Sequence, residues 1–425
     1  MRWSTSVAVA LVLLSCHRIS LATENWPQWR GPLGSGVAAS GDYPVKFSAS
    51  DGVAWKVELP GRGTSTPAVW DDRIFVTVPI DEQDGVLCFD MQGKELWRKQ
   101  LGKERPGKNP HATGSNSSPA TNGKSVVVYF KSGTLACFAL DGKEKWSINL
   151  QDKYGKDTLW WDLGTSPVIA DGRVIVAVIQ ADDSYLVAFD LDSGAVAWKT
   201  PRNYKCPVEC DQSYSTPQLA KSDGHDVLVT WGADHLTAHA VDTGKLVWEC
   251  GGFNPDSIGN WRTIASPSVA NGIAVVPYGR GAFLKAIRIS GEGDITKSSD
   301  AWDKDELGAD IPTAATRDGK LYLLTDKGRI SCLALDSGRE LWTANLPKDR
   351  NKFYASPVLA GDKLFCARED GTVFVGEVSD TGFKLLATNP MGERMFATPV
   401  PIRGQLLLRG DDHLFMIGAS GVATK

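Results

Sequence analysis

Eight times along this chain of 425 residues, at a regular interval, a Ser or Thr beside a Pro is trailed by turns and short apolar segments. The pairs are Thr66-Pro67, Ser118-Pro119, Ser166-Pro167, Thr216-Pro217, Ser266-Pro267, the inverted Pro312-Thr313, Ser356-Pro357 and Thr398-Pro399, spaced 42 to 52 residues apart. A repeat of that period, written in strands rather than helices, specifies a β-propeller. Each unit is a small sheet that cannot bury its faces without a neighbour on either side. The expected fold is therefore all-β: an eight-bladed β-propeller of four-stranded antiparallel blades. Internal symmetry outranks length, which alone would suggest about three domains.

Blade six shows the pattern. After Pro312-Thr313 come the turn Arg317-Asp318-Gly319-Lys320, the strand Leu321 to Leu324, the turn Asp326-Lys327-Gly328, the strand Ile330 to Leu335, the turn Asp336-Ser337-Gly338-Arg339 and the strand Glu340 to Asn345. Asp or Asn with Gly supplies the positive φ of tight hairpins. A Trp follows the last turn at Trp97, Trp146, Trp198, Trp248, Trp302 and Trp342, whereas the seventh blade offers Leu385-Leu386. A large flat ring at one place per unit reads as packing between neighbouring sheets. Trp55 lies in a fourth strand with no first three before it, and Thr398 to Gly418 supplies three strands with no fourth. The N-terminal strand is expected to complete the last blade, leaving no open edge.

The chain opens with Arg2, an apolar run from Val7 to Leu14 and the small-x-small site Ser20-Leu21-Ala22, which reads as a secretory signal over residues 1–22. A competing reading takes Leu13-Leu14-Ser15-Cys16 as a lipoprotein box with Cys16 acylated, the one membrane attachment the text offers. Both readings place the propeller outside the cytoplasm, periplasmic or secreted. Residues 23–44 then form an N-terminal extension, 45–418 the propeller and 419–425 a C-terminal tail. Loss of Arg2 and Arg18 reduces the 46 basic residues to 44 against 50 acidic ones. This mild negative balance, with no basic tract, argues against nucleic acid as a partner.

Cys88, Cys137 and Cys332 share one position of the third strand, where other blades carry Ala188 and Ala238, so they read as small core residues, as does Cys366. Cys206 and Cys210 flank Pro207-Val208-Glu209 in a loop, and an oxidising compartment leaves a local disulfide and two free thiols both open. No His stands near them at metal-ligand spacing.

Third- and fourth-strand text such as Ala188-Phe189-Asp190-Leu191-Asp192-Ser193-Gly194-Ala195-Val196-Ala197-Trp198 resembles the Trp-docking repeat of the pyrroloquinoline quinone (PQQ) propellers, over nearly the whole mature chain. The opening Asn25-Trp26-Pro27-Gln28-Trp29-Arg30-Gly31-Pro32 and the closing Arg409-Gly410-Asp411-Asp412-His413-Leu414-Phe415 are similar to the secreted PQQ-like repeat proteins of planctomycete-type bacteria. The resemblance implies the fold and leaves chemistry open. The same text occurs in quinoprotein dehydrogenases and in the non-enzymatic propeller subunit of the outer-membrane β-barrel assembly machinery. Quinoprotein alcohol dehydrogenases add adjacent Cys residues over the quinone and carboxylate and amide ligands for calcium. This chain has no Cys-Cys pair and no Cys-x-x-Cys-His haem motif.

Loops joining fourth to first and second to third strands are expected on one face around the axial channel, the face that receives ligands. Candidates there are His111, Trp160, Trp161, Asp162, Arg202 and Tyr214 in blades two to four. Trp261, Arg262, Arg280, Tyr354 and Arg394 continue the circle. The Trp and Arg residues lie outside the repeat pattern, so blade packing does not require them, and two readings stay open: they suit a sugar, an aromatic ring or a peptide segment, or the long loops pack their own Trp residues into a small satellite core. Recurrent Asp residues in the second-to-third turns read as turn formers rather than a cation ring. No nucleophile elbow, metal-binding helix pair or phosphate loop occurs. The expected function is a non-catalytic binding or assembly scaffold for a protein or glycan partner, with a PQQ- and calcium-dependent oxidoreductase of alcohols or sugars as the alternative.

Overall fold

The structure, a computed structural model, describes residues 25–418; the signal segment, Cys16 and the C-terminal tail lie outside the described residues. Eight antiparallel sheets stand in a ring. Blade 1 runs from its inner strand Ala68–Trp70 through Arg73–Ile80 and Gln83–Asp90 to the outer Glu95–Lys103, and blades 2 to 7 repeat that order. Blade 8 closes as the sequence predicts. Val53–Glu58 pairs antiparallel with His413–Ile417, Val53 opposite Ile417 and Trp55 opposite Met416.

The outer seams are made by Trp. The indole N–H of Trp97 donates to Leu140 O at 2.9 Å, that of Trp146 to Leu191 O at 3.0 Å and that of Trp198 to Val241 O at 3.1 Å, each one blade further on. Trp55, Trp302 and Trp342 do the same toward Met91, Leu335 and Ser379. The ring lies on the turn Gly of the next blade: a Cβ on Gly194, held at φ 70°, would stand 2.7 Å from the Trp146 ring. Trp248 departs, donating to Ser222 Oγ, which in turn donates to Ile289 O of blade 5.

A second ring of bonds closes the inner edge. The backbone N–H of Thr66 donates to Ser118 Oγ at 3.0 Å, Ser118 to Ser166, Ser166 to Thr216 and Thr216 to Ser266. Ser266 then donates to Thr313, Thr313 to Ser356, Ser356 to Thr398, and Thr398 back to Thr66 Oγ1 at 3.1 Å. All eight hydroxyls of the Ser/Thr-Pro repeat thus accept an amide proton from the preceding blade. In seven of the pairs Pro comes directly after the hydroxyl residue, a position at the strand start where no N–H is needed.

The segment expected as an extension is built into the ring. Trp26 N–H and C=O bond Val69 of blade 1, Pro27 O accepts from Thr121 N of blade 2, and Ser35 O and Gly36 O accept from Thr316 N of blade 6 and Leu359 N of blade 7. Val37–Ala38 then adds a parallel strand to Val358–Ala360. The segment therefore crosses the axis beneath the hydroxyl ring and plugs the channel. Arg30, wholly buried, reaches Pro357 O and Ala314 O, both at 2.7 Å, and burial pulls its guanidinium down to about 9. Its backbone sits at φ 69°, a conformation a non-glycine residue adopts at a cost, and Gly31 follows at φ 78° because a Cβ there would meet the Trp26 ring at 2.9 Å.

Two outcomes follow from these contacts. Trp198→Ala should lower stability by about 3–5 kcal/mol, the usual cost of emptying a buried aromatic site, measured by denaturant unfolding. Arg30→Ala should cost about 1–3 kcal/mol and make residues 25–38 the first segment cut by limited proteolysis. An unchanged cleavage pattern would mean that the segment is held without Arg30.

Candidate functional site

Above the plug the channel widens into a blind pocket of about 350 Å³, at the small end of ligand pockets. Its base carries the eight ring hydroxyls and Trp29 of the plug. Each hydroxyl already accepts an amide proton, and no protein acceptor takes its own proton among the described residues, so the base offers O–H donors.

One wall is aromatic. His111 stacks on Tyr354 with centroids 5.3 Å apart and planes 27° apart, and Phe396 closes against both at 5.6 and 5.4 Å. Arg62 and Arg394 lie over Phe396, their guanidiniums 5.8 and 5.7 Å from its centroid, and share the Asp411 carboxylate. His111 Nδ1 lies 3.7 Å from Glu369 Oε2, and neither atom has a hydrogen-bond partner. The facing wall, from the loops ahead of blades 3 to 5, holds Trp161, Tyr214 and Arg262. Arg262 donates to Glu209 Oε1 at 2.9 Å and lies over the Trp161 ring at 5.5 Å, while the Trp161 indole donates to the same oxygen at 2.9 Å. Arg280 faces Asp310 at 3.6 Å.

Asp162 is a buried loop anchor. It accepts from Lys108 N and Asn109 N, both at 2.9 Å, and from Lys131 Nζ, tying the loop ahead of blade 2 to that ahead of blade 3. Two carboxylates of the second-to-third turns tie loops together in the same way, beyond the local turn-forming role expected of them. Asp326 accepts from Asp310 N at 2.7 Å and Ile311 N at 3.2 Å, and Glu369 from Lys352 N at 2.8 Å. Among the described residues no three His, Cys, Asp or Glu side chains converge as a metal site.

The structure thus gathers His111, Trp161, Asp162, Tyr214, Arg262, Arg280 and Tyr354 in one pocket and removes others from it. Arg202 is corrected to a core residue: it is 2% exposed and donates to Thr237 Oγ1 and to the carbonyls of Gly232, Thr230 and His235, which leaves its guanidinium occupied by blade 4 and turned away from the pocket. Trp261 is corrected too. It packs on Phe283 at 5.7 Å and Tyr278 at 6.3 Å in a satellite aromatic cluster. Arg394 stands behind Phe396 rather than in the pocket, and Trp160 lies on the outer rim, 53% exposed. The Cys206–Cys210 disulfide is absent. Both are free thiols, Cys206 Sγ turned to Tyr204 O and Cys210 Sγ to Ile258 O at 3.2 Å. Sequence reasoning placed the loop of Arg394 and Phe396 on this face but did not single out Trp29, Asn109, Asn116, Asp310 and Lys352 as lining residues. Trp29 alone carried a signal, being another aromatic outside the repeat.

Burial pushes the Asp326 carboxyl up from 3.8 to about 6. A group raised in the folded state contributes stability below its unfolded value, and that contribution is lost as pH rises through the folded one. The native chain should therefore lose stability from this group between about pH 4 and 6, and Asp326→Asn should lose less over that window, read as the difference in denaturant midpoints.

Fold and pocket together define a PQQ-like repeat β-propeller of eight blades. The chain belongs to the family whose model is described as outer membrane protein assembly factor BamB, which matches residues 23–150, 82–272 and 288–382. Outer membrane protein assembly factor BamB of Escherichia coli (strain K12) is 25% identical over 345 residues, covering 70% of this chain and 83% of that protein. The Burkholderia pseudomallei (strain K96243) protein of that name is 22% identical over 74% of this chain and 84% of its own length. Among solved structures, BamB from Moraxella catarrhalis superposes with TM-score 0.62 at 15% identity, covering 88% of this chain and 99% of that one. A europium-containing methanol dehydrogenase gives TM-score 0.68 at 11% identity, covering 93% and 98%. The quinohemoprotein alcohol dehydrogenase from Comamonas testosteroni gives 0.66 at 14%, covering 95% and 82%. At these identities the structural likeness speaks for the fold alone.

Proposed function

We propose that this protein is a non-catalytic, extracytoplasmic scaffold that holds a protein partner on its loop-rich face. The observation that carries the reading is Trp160, a large aromatic ring left in solvent on a backbone that is itself fixed. Its N–H donates to the buried Gln212 Oε1 at 2.8 Å, and its carbonyl accepts from Lys108 Nζ at 3.2 Å. Rigid exposed aromatics of this kind anchor protein interfaces. Exposed Val208 and Ile258 extend the apolar strip across the loops ahead of blades 4 and 5, Asn260 N bonding Val208 O. Relatives named as outer membrane protein assembly factors support a protein partner and an extracytoplasmic setting.

The oxidoreductase alternative needs fixed cations for a quinone polyanion and a carboxylate set for calcium. What weighs against it is that Lys131 is spent on Asp162, Arg202 on carbonyls and Arg262 on Glu209. A donor set arranged in this way does not fit PQQ with calcium.

A photo-crosslinking residue at position 160 should capture one envelope protein in intact cells, and one at position 33, on the plugged face, should not; Val208→Asp should weaken the adduct. Adducts of equal yield from both positions would remove the rim as the interface. Dye reduction with alcohols or aldoses that needs both added PQQ and calcium, and is lost in Arg280→Ala, would replace the scaffold with the dehydrogenase.

A further inference from the structure

The axial pocket has a chemistry of its own, separate from the rim where a protein would dock. Its lining is polar, yet its charges are largely settled internally. Arg262 has Glu209 at 2.9 Å, Arg280 has Asp310 at 3.6 Å, and Asp162 has Lys131. Lys352 is the one lining cation without a carboxylate within 4 Å among the described residues. A planar polyanion would therefore find little uncompensated positive charge, and a cation no free carboxylate cluster. Paired groups still present N–H donors and carboxylate acceptors side by side, and the hydroxyl ring adds a circle of O–H donors at the base.

The walls supply the other half. The stacked His111 and Tyr354 with Phe396 form an apolar face on one side, and Trp161 forms one on the other. A ligand that fits must have flat apolar faces and an equator of groups that both donate and accept hydrogen bonds, without net charge. Sugar rings have that construction, with C–H faces and equatorial hydroxyls. The pocket is blind because the plug closes it below, so the ligand enters from the loop-rich face and stops at Trp29.

We propose that the axial pocket is a saccharide-binding site for a neutral mono- or disaccharide, gripped between the His111–Tyr354–Phe396 wall and Trp161 over the hydroxyl ring. The site goes beyond the scaffold reading and does not depend on it, since Trp160 and the outer strip take no part.

The test is titration of the full secreted chain with cellobiose, maltose, N,N′-diacetylchitobiose, glucuronate and PQQ, followed by saturation-transfer NMR and calorimetry. At least one neutral disaccharide should bind. Tyr354→Ala and Phe396→Ala should each weaken it by about tenfold or more, a loss of about 1.4 kcal/mol. Trp160→Ala should leave it unchanged. If either wall variant melts below the native protein, Tyr354→Leu keeps the volume and should still lose most of the affinity. The proposal is overturned if no neutral saccharide binds, if binding survives both wall substitutions, or if only glucuronate or PQQ binds and does so through Lys352. Loss of crosslinking at position 160 with sugar binding intact would remove the scaffold and leave this site standing.

Discussion

A closed circle of amide-to-hydroxyl hydrogen bonds sets the geometry from which everything else in this protein follows. Each inner strand begins with a Ser or Thr whose N–H is given to the next blade and whose oxygen takes the N–H of the one before. A chain of such bonds has no end only when the last blade returns to the first, so blade number, inner radius and the spacing of the inner strands are determined together. The Trp seams work further out and in the same sense, six indoles reaching one blade onward directly and that of Trp248 through Ser222 Oγ. Inner ring and outer seams together leave each sheet with neighbours on both faces, which a four-stranded unit needs to bury its apolar residues.

That circle also decides what the channel can be. Eight inner edges leave a hole along the axis, and the segment from Asn25 to Ala38 fills its lower end by bonding inner strands of blades 1, 2, 6 and 7. Arg30 is the pin of this arrangement, a buried cation satisfied by two carbonyls and no carboxylate, with its Nε unpaired. Burying such a group is costly unless its surroundings are over-determined, and here they are, by strands on both sides of the axis. Once the lower end is shut, only the loop-rich face remains open, and the chemistry of the pocket is that of the loops above and the hydroxyls below.

Rim and pocket are made by different means. Trp160 is exposed because its backbone is committed to Gln212 and Lys108, which leaves the ring nothing to pack on. Trp161, one residue on, is turned inward by Tyr214 and Glu209 and joins the pocket. Neighbouring residues of the same type thus serve two surfaces. Trp261, equally outside the repeat pattern, serves neither, since Phe283 and Tyr278 supply it with a satellite core.

What the sequence by itself determined was whatever the repeat encodes locally: eight blades, their turns, the Trp seams and the closure by the strand around Trp55. These depend on spacing and on residue type within one unit, and a period survives reading along the chain. The candidate face was legible as well, because a loop that breaks the period announces itself. Tertiary structure alone decided which long-loop residues face ligand and which are consumed. Arg202 looks like a binding residue until four acceptors from blade 4 surround it, and Arg394 until Asp411 and Phe396 claim it. The plug was equally hidden. Its partners lie as far as 327 residues away along the chain, its strand is two residues long, and no local pattern records a contact between Arg30 and the carbonyl of Pro357.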